Sequence, residues 1–318
     1  MLLIHHWDTD GITSAAILIK VLKIDNFLNL SPPIGEYSFD SRIWKYIEKS
    51  EKIYVLDFNV PHELEKIKDK EVIFFDHHIQ KKINNPHVIQ INPLLKGKSS
   101  PSTTIVISEY FNHWDAYSAL GAVGDLGKKA FEISLVNKLL KQENISKKEA
   151  LMIVQLIDSN YIVMDKNWVE KAVNVLLNYE IKEILEYDPW IKNVENIEKT
   201  INDIIGNIDV RENIAFVEFK SSYNVISKVA RKVVWEMGYK GAVVVNKNFH
   251  GKAQIYFRIS PELAKKIDMY EIIQELKNRK FNAGGKKEVL GCICKKSEID
   301  DVLDIIKNYL ISNVQMEK

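Results

Sequence analysis

Short apolar runs, rich in β-branched and aromatic residues, alternate with helical patterns over the first hundred residues. Leu2-Leu3-Ile4, Ile53–Leu56, Val72–Phe75 and Val88–Ile91 read as buried strands. Between them, Ile12 to Leu22 places Ala15, Ile17, Leu18 and Leu22 at helical spacing, and Pro61 opens a helix expected to reach Lys68. Continuous apolar strands separated by helices predict an α/β fold, with a mostly parallel sheet covered by helices. From Ser102 the pattern turns helical, over Thr103–Phe111, Leu126–Leu140, Lys147–Ile157, Lys171–Leu177 and Ile181–Tyr187. Asp188-Pro189 breaks that run, and Ile191–Ile205 follows as a further helix that Gly206 can cap. The remainder predicts a smaller α/β unit. Its strands are Ile214–Phe219, Gly241–Val245, Ala253–Ile259 and Val289–Lys295; its helices are Val225–Met237, Tyr270–Lys280 and Ile299–Ile311. The expected organisation is a first domain over 1–185, a helical linker over 186–210 and a second domain over 211–318.

Composition narrows the function classes. Hydrophobic residues at 46% and charged residues at 27% exclude a disordered chain. No apolar run approaches the roughly 18 residues needed to span a bilayer. Met1-Leu2-Leu3-Ile4 runs straight into His5 and His6 without a basic leader, so no signal peptide is expected. Cys292 and Cys294 are the only cysteines, and their spacing suits neither a disulfide nor a structural zinc site. A reducing cytoplasm is the expected setting. The net charge of +1 hides an asymmetry: residues 1–200 carry 24 Lys/Arg against 28 Asp/Glu, and residues 201–318 carry 20 against 15. The acidic part can hold cations and the basic part an anion. Without a long basic tract, a short phosphorylated substrate fits better than a long nucleic acid.

The chemistry concentrates at strand ends. His6-Trp7-Asp8-Thr9-Asp10-Gly11 follows the first strand, Asp57 follows Ile53–Leu56, and Asp76-His77-His78 follows Val72–Phe75. In open α/β sheets, ligands gather beyond the carboxyl ends of the strands. Three strands therefore deliver carboxylates and imidazoles to one place, a donor set suited to Mn²⁺, Mg²⁺, Fe²⁺ or Zn²⁺. So many carboxylates call for two ions, about 3.5–4 Å apart, which together activate a water and clamp a phosphoryl oxygen. Asp125, between Gly124 and Leu126-Gly127, is a further candidate ligand, or a cap for the helix expected to follow. The Ser102-Thr103-Thr104 helix start can offer hydroxyls and N–H groups to a phosphate, or Ser102 can simply cap it.

Taken together, His6-x-Asp8-x-Asp10-Gly11, Asp57, Asp76-His77-His78 and Asp125 resemble, in order and approximate spacing, the four motifs of the DHH phosphoesterases over residues 1–127. The resemblance implies a two-metal phosphoesterase using Mn²⁺, with Mg²⁺ as the alternative. It makes Asp8, Asp10, Asp57, His77 and Asp125 metal ligands with His6 beside them, has Asp76 orient its neighbour, and turns His78 toward the substrate phosphate. The tail is similar to the DHH-associated domain of the RecJ-like and oligoribonuclease-like branch. There Gly284-Gly285-Lys286 stands where that domain carries a Gly-Gly-His loop, and Arg258 matches an arginine that approaches substrate phosphate. The expected activity is exonuclease or oligoribonuclease action on short single-stranded oligonucleotides. The alternatives are a 3′-phosphoadenosine 5′-phosphate phosphatase, a cyclic-dinucleotide phosphodiesterase, or a non-catalytic nucleotide-binding or replication-complex scaffold.

Overall fold

The computed structural model describes residues 1–314. It divides into two compact units, Met1–Val194 and Glu195 onward. The first unit opens with β1 (Leu2–His5), α1 (Thr9–Leu22), β2 (Leu28–Leu30), α2 (Ser41–Lys49), β3 (Lys52–Leu56), the one-turn α3 (Pro61–Leu64), β4 (Glu71–Phe75) and β5 (Val88–Ile91). Five helices follow: α4 (Thr103–Phe111), α5 (Ala116–Leu126), α6 (Ser134–Gln142), α7 (Lys147–Ile162) and α8 (Lys166–Asn178). The five strands form one wholly parallel sheet in the order β2-β1-β3-β4-β5. Strand order therefore reverses at the β1/β3 boundary, where ligands collect in sheets of this kind. Leu2, Leu3, Ile4, Val55, Leu56 and Phe74 are fully buried, as strands covered on both faces must be. From Thr9 to Ile19 every residue of α1 is buried, which makes it a central helix, enclosed on all sides.

The helix α9 (Asp188–Ile205) contains the division between the units. The second unit comprises β6 (Asp209–Arg211), β7 (Ile214–Phe219), α10 (Ile226–Arg231), β8 (Gly241–Phe249), β9 (Lys252–Ile259), α11 (Met269–Asn278), β10 (Asn282–Lys286), β11 (Val289–Cys294) and α12 (Ile299–Val314). Its mixed sheet runs β10-β11-β9-β8-β7-β6, with only β7 and β8 parallel. Ile255, Phe257, Leu290 and Cys292 share a core with Ile272, Leu276, Val302 and Ile306 from α11 and α12. The other face meets α10.

Several sequence expectations are corrected. The Pro61 helix ends at Leu64, after one turn. The expected Leu126–Leu140 helix is two elements: α5 ends at Leu126, a 3₁₀ stretch covers 127–132, and α6 starts at Ser134. Gly127, at φ +57°, breaks the run. Ile181–Tyr187 holds only a 3₁₀ turn over Glu183–Glu186. The Val225–Met237 helix passes into a π turn at Lys232–Glu236. The Gly284–Gly291 loop is a β-hairpin.

Candidate metal centre

Flush register assembles the centre. His5 pairs with Leu56, and Leu56 with Phe75, so His6, Asp57 and Asp76 leave three adjacent strands side by side. Backbone bonds extend the ladder one step further: His6 N–H donates to Leu56 O (3.1 Å) and Asp57 N–H to Phe75 O (2.9 Å). The chain then turns into α1. Asp8 caps it by accepting from Gly11 N–H at 3.2 Å, and Asp10 lies in its first turn. A Cβ on Gly11 would stand 2.4 Å from His6 O, so this turn requires glycine.

Two groups of ligand atoms result. His6, Asp8 and Asp57 form one, Asp10, His77 and Asp125 the other, and Asp57, His77 and His78 form a third set that joins them, each with its atoms within 4.8 Å of one another. His6 Nδ1 lies 2.8 Å from Asp8 Oδ2, and His77 Nε2 lies 2.9 Å from Asp125 Oδ2. Asp57 spans both: Oδ2 is 3.7 Å from His6 Nδ1, and Oδ1 is 3.7 Å from His77 Nε2. His78 joins from the open side, its Nδ1 3.8 Å from Asp57 Oδ1. Asp125 sits in the last turn of α5; it does not cap a following helix, because α5 ends one residue later.

The remaining candidates support the potential ligands. Asp76 is fully buried, and its oxygens are taken. Oδ1 accepts from the N–H groups of His77 (2.7 Å) and His78 (3.0 Å) and contacts His78 Nδ1 at 2.7 Å; Oδ2 accepts from Gln80 Nε2 at 2.9 Å. It thereby shapes the turn and orients His78. His77 Nδ1 faces Ser100 O at 3.3 Å, which leaves Nε2 for the centre. The start of α4 is committed to protein. Ser102 caps it through Ile105 N–H, while Thr103 and Thr104 donate their N–H groups to Asp10 at 2.6 and 3.0 Å. Asp10 thus occupies the anion position that the sequence left open to a phosphate. Thr103 Oγ1 also donates to Asp57 Oδ1 at 2.8 Å.

Charge crowding marks the pocket. Burial, then the neighbouring Asp125, pushes Asp10 up to about 7. Burial followed by Asp10, Asp8 and Asp125 holds Asp57 well above the usual carboxylate range. Burial opposes charge on His77, yet its close contact with Asp125 and the field of Asp10 raise it to about 9. Burial likewise opposes charge on His6, and Asp8 outweighs it, so His6 is raised; burial works against ionised Asp8, and His6 outweighs that, so Asp8 is lowered. His6 Nδ1 and His77 Nε2 are buried and make no hydrogen bond of good geometry. Crowded carboxylates closed by two such nitrogens fit hard divalent cations, whose charge relieves the repulsion.

Two features of the site carry no local sequence signal. Asp158 of α7 accepts from Thr9 N–H (2.9 Å) and Oγ1 (2.7 Å), fixing the first turn of α1. It lies 149 residues from its partner, so no motif announces it. Tyr37, in the segment between β2 and α2, stacks on Phe58 at 5.7 Å and 9° beside His6.

In the second unit, Arg258 of β9 pairs with Val289, and Val289 with Lys286, so Arg258 and Lys286 lie in one cross-strand row. Arg258 is 7% exposed, with its guanidinium 4.8 Å from the Trp235 ring and Nη2 donating to Tyr256 OH at 3.2 Å. Gly284 and Gly285 pair with Gly291 and Leu290, so alternate N–H groups of β10 serve the ladder and not an open anion cradle. A Cβ at Gly285 would fall 2.0 Å from Val289 O.

Among solved structures, a DHH domain described as a member of a family of ribosomal proteins is 14% identical, with a TM-score of 0.71 over 98% of this chain and 86% of that one. RecJ from Thermus thermophilus in complex with Mn²⁺ is 18% identical with a TM-score of 0.68, covering 97% of this chain. The present chain spans 51% of that protein. A pGpG-specific phosphodiesterase from Vibrio cholerae is 13% identical, with a TM-score of 0.54 over 98% of this chain and 99% of that one. At these identities the likeness is one of fold. No curated protein matches the sequence. Residues 1–154, just under half of the chain, match the DHH family, N-terminal domain, and the motif residues of that stretch converge on one site.

Proposed function

We propose that this protein is a divalent-metal-dependent phosphoesterase that hydrolyses phosphodiester bonds in short single-stranded oligonucleotides. The observation that carries the reading is Asp57, with one oxygen turned to the His6–Asp8 group and the other to the His77–Asp125 group. His6, Asp8 and Asp57 would hold one ion, and Asp10, His77, Asp125 and Asp57 a second, Mn²⁺ foremost with Mg²⁺ as the alternative. Bound there, the ions supply a nucleophilic water at neutral pH and neutralise phosphoryl oxygens. The chain's own groups orient the substrate. His78, held through Nδ1 by Asp76, presents Nε2 to a phosphate oxygen. In our reading residues 1–185 are the catalytic domain, 186–210 a linker and 211–318 a substrate-binding DHH-associated domain. There Arg258 and Lys286 supply positive charge, and Gly284 and Gly285 keep the strand beside them bare. Arg258 has no carboxylate in ion-pair range among the described residues, which leaves it for a phosphate. The unpaired Cys292 and Cys294 suit a cytoplasmic setting.

The second reading is a dinucleotide phosphodiesterase, favoured by the match to the pGpG-specific enzyme over nearly the full length of both chains. The test is a panel of labelled di- to decanucleotides of RNA and DNA, cyclic dinucleotides, 3′-phosphoadenosine 5′-phosphate and pyrophosphate, each with Mn²⁺. Stepwise shortening of oligonucleotides supports the first reading, and cleavage of dinucleotides alone the second. Binding without hydrolysis of any substrate refutes both and leaves a scaffold.

A further inference from the structure

Tyr37 is the exposed end of an aromatic column that reaches from the core of the first unit to the mouth of the metal centre. Phe58 is fully buried; Phe39 stacks on it at 6.1 Å and 22°, and Tyr37 at 5.7 Å and 9°. Trp7 meets both Tyr37 and Phe58 edge-on, at 5.5 and 5.9 Å. Of these four rings only Tyr37 is open, at 57% exposure. Its centroid lies 6.1 Å from the His6 ring, whose Nδ1 touches Asp8. Burial, followed by the charges of Asp8 and Asp57, raises the Tyr37 phenol, so the ring sits within the field of the acidic cluster.

The segment carrying Tyr37 is fixed at both ends. Glu170 of α8 accepts from Ser31 N–H at 2.9 Å and from Arg42. At the other end, Asp40 caps α2 through Ile43 N–H and pairs with Lys166 at 3.2 Å. A flat ring held this way, parallel to Phe58 and more than half exposed beside the acidic cluster, is the arrangement that stacks a nucleobase. A surface tyrosine with only a packing role has no need of that neighbourhood.

We infer that Tyr37 is a base-stacking residue, receiving the nucleobase of the nucleotide whose phosphate lies at the metal centre. This deepens the proposed function and rests on it. The centre then prefers phosphates that carry a base over sugar phosphates and inorganic phosphoanhydrides. The preference comes from stacking, so it is tolerant of base identity.

The test is equilibrium binding to the Mn²⁺-loaded full chain, by calorimetry, of a nucleoside 5′-monophosphate and of ribose 5-phosphate. The unsubstituted protein is expected to bind the nucleotide about fivefold or more tightly than the sugar phosphate. Tyr37→Phe keeps that ratio; Tyr37→Leu, which retains apolar bulk over Phe58, brings the two affinities within about twofold. A preserved ratio in Tyr37→Leu, or none in the unsubstituted protein, overturns the assignment. Equal loss of both ligands in Tyr37→Leu overturns it too, since the residue would then support the pocket and not the base. The readout needs no turnover. Loss of base preference in a protein that hydrolyses nothing would refute the proposed function and keep the stacking role.

Discussion

Asp57 occupies the left-handed backbone region, at φ +57°, which few residues other than glycine, asparagine and aspartate enter without strain. Asp57→Asn is therefore the informative substitution: it keeps the conformation and removes the charge shared by both ligand groups. Turnover is expected to fall about 100-fold or more with the melting temperature of the loaded protein little changed; wild-type turnover would remove Asp57 from the centre. Asp57→Ala would mix that loss with backbone strain. Gly121 offers a second test from a residue that is no ligand. A Cβ there would stand 2.2 Å from Thr104 Oγ1 and 2.3 Å from Asp10 Oδ1. Gly121→Ala is expected to displace Asp10 and weaken Mn²⁺ binding by about 10- to 100-fold, read by titration of the metal-free protein. Unchanged affinity would mean that Asp10 does not serve as a ligand.

At the scale of elements, the strands that build the centre were legible because each is a continuous apolar run ending in Asp or His. The residues behind the ligands were not. Asp158 and Thr103 act across long sequence separations, and Asp10's hold on α4 appears only once α1 and α4 pack together. Three-residue β2 and β6 are too short to carry a pattern, and β10 is strand in spite of two glycines because β11 supplies its pairing. Asp125 was found by its flanking glycines and misplaced by one element, since the α5 pattern runs on through Leu126 into apolar Ala130 and Phe131. The cross-strand row of β9, β11 and β10 yields its own prediction. Arg258→Ala should raise KM by about 10- to 100-fold with kcat little changed, as expected when a charged hydrogen bond to a non-reacting phosphate is lost. An unchanged KM would move the distal phosphate away from this sheet.

For the molecule as a whole, the crowded carboxylates set the pH response. Asp10 rises from 3.8 to about 7 on folding and His77 from 6.5 to about 9. Groups raised in this way lend stability that is complete below the unfolded value and lost as pH climbs through the folded one. Asp8, lowered by His6, and His5, lowered by burial, act in the opposite sense, but only up to their ordinary values. In EDTA the thermal midpoint should therefore fall as pH rises from about 7 to about 9. Saturating Mn²⁺ should flatten the slope, because bound ions replace the protons. A midpoint that climbs with pH in EDTA would contradict the charge arrangement. The flush register of β1, β3 and β4 reaches further still. Those strands act as a ruler: the candidate ligands leave one end, while segments 50–51 and 69–70 enter β3 and β4 at the other, about 16 Å away along the strands. Reporter peptides or affinity handles spliced into those entry segments should leave ligand spacing untouched, which makes that edge the place to instrument the protein.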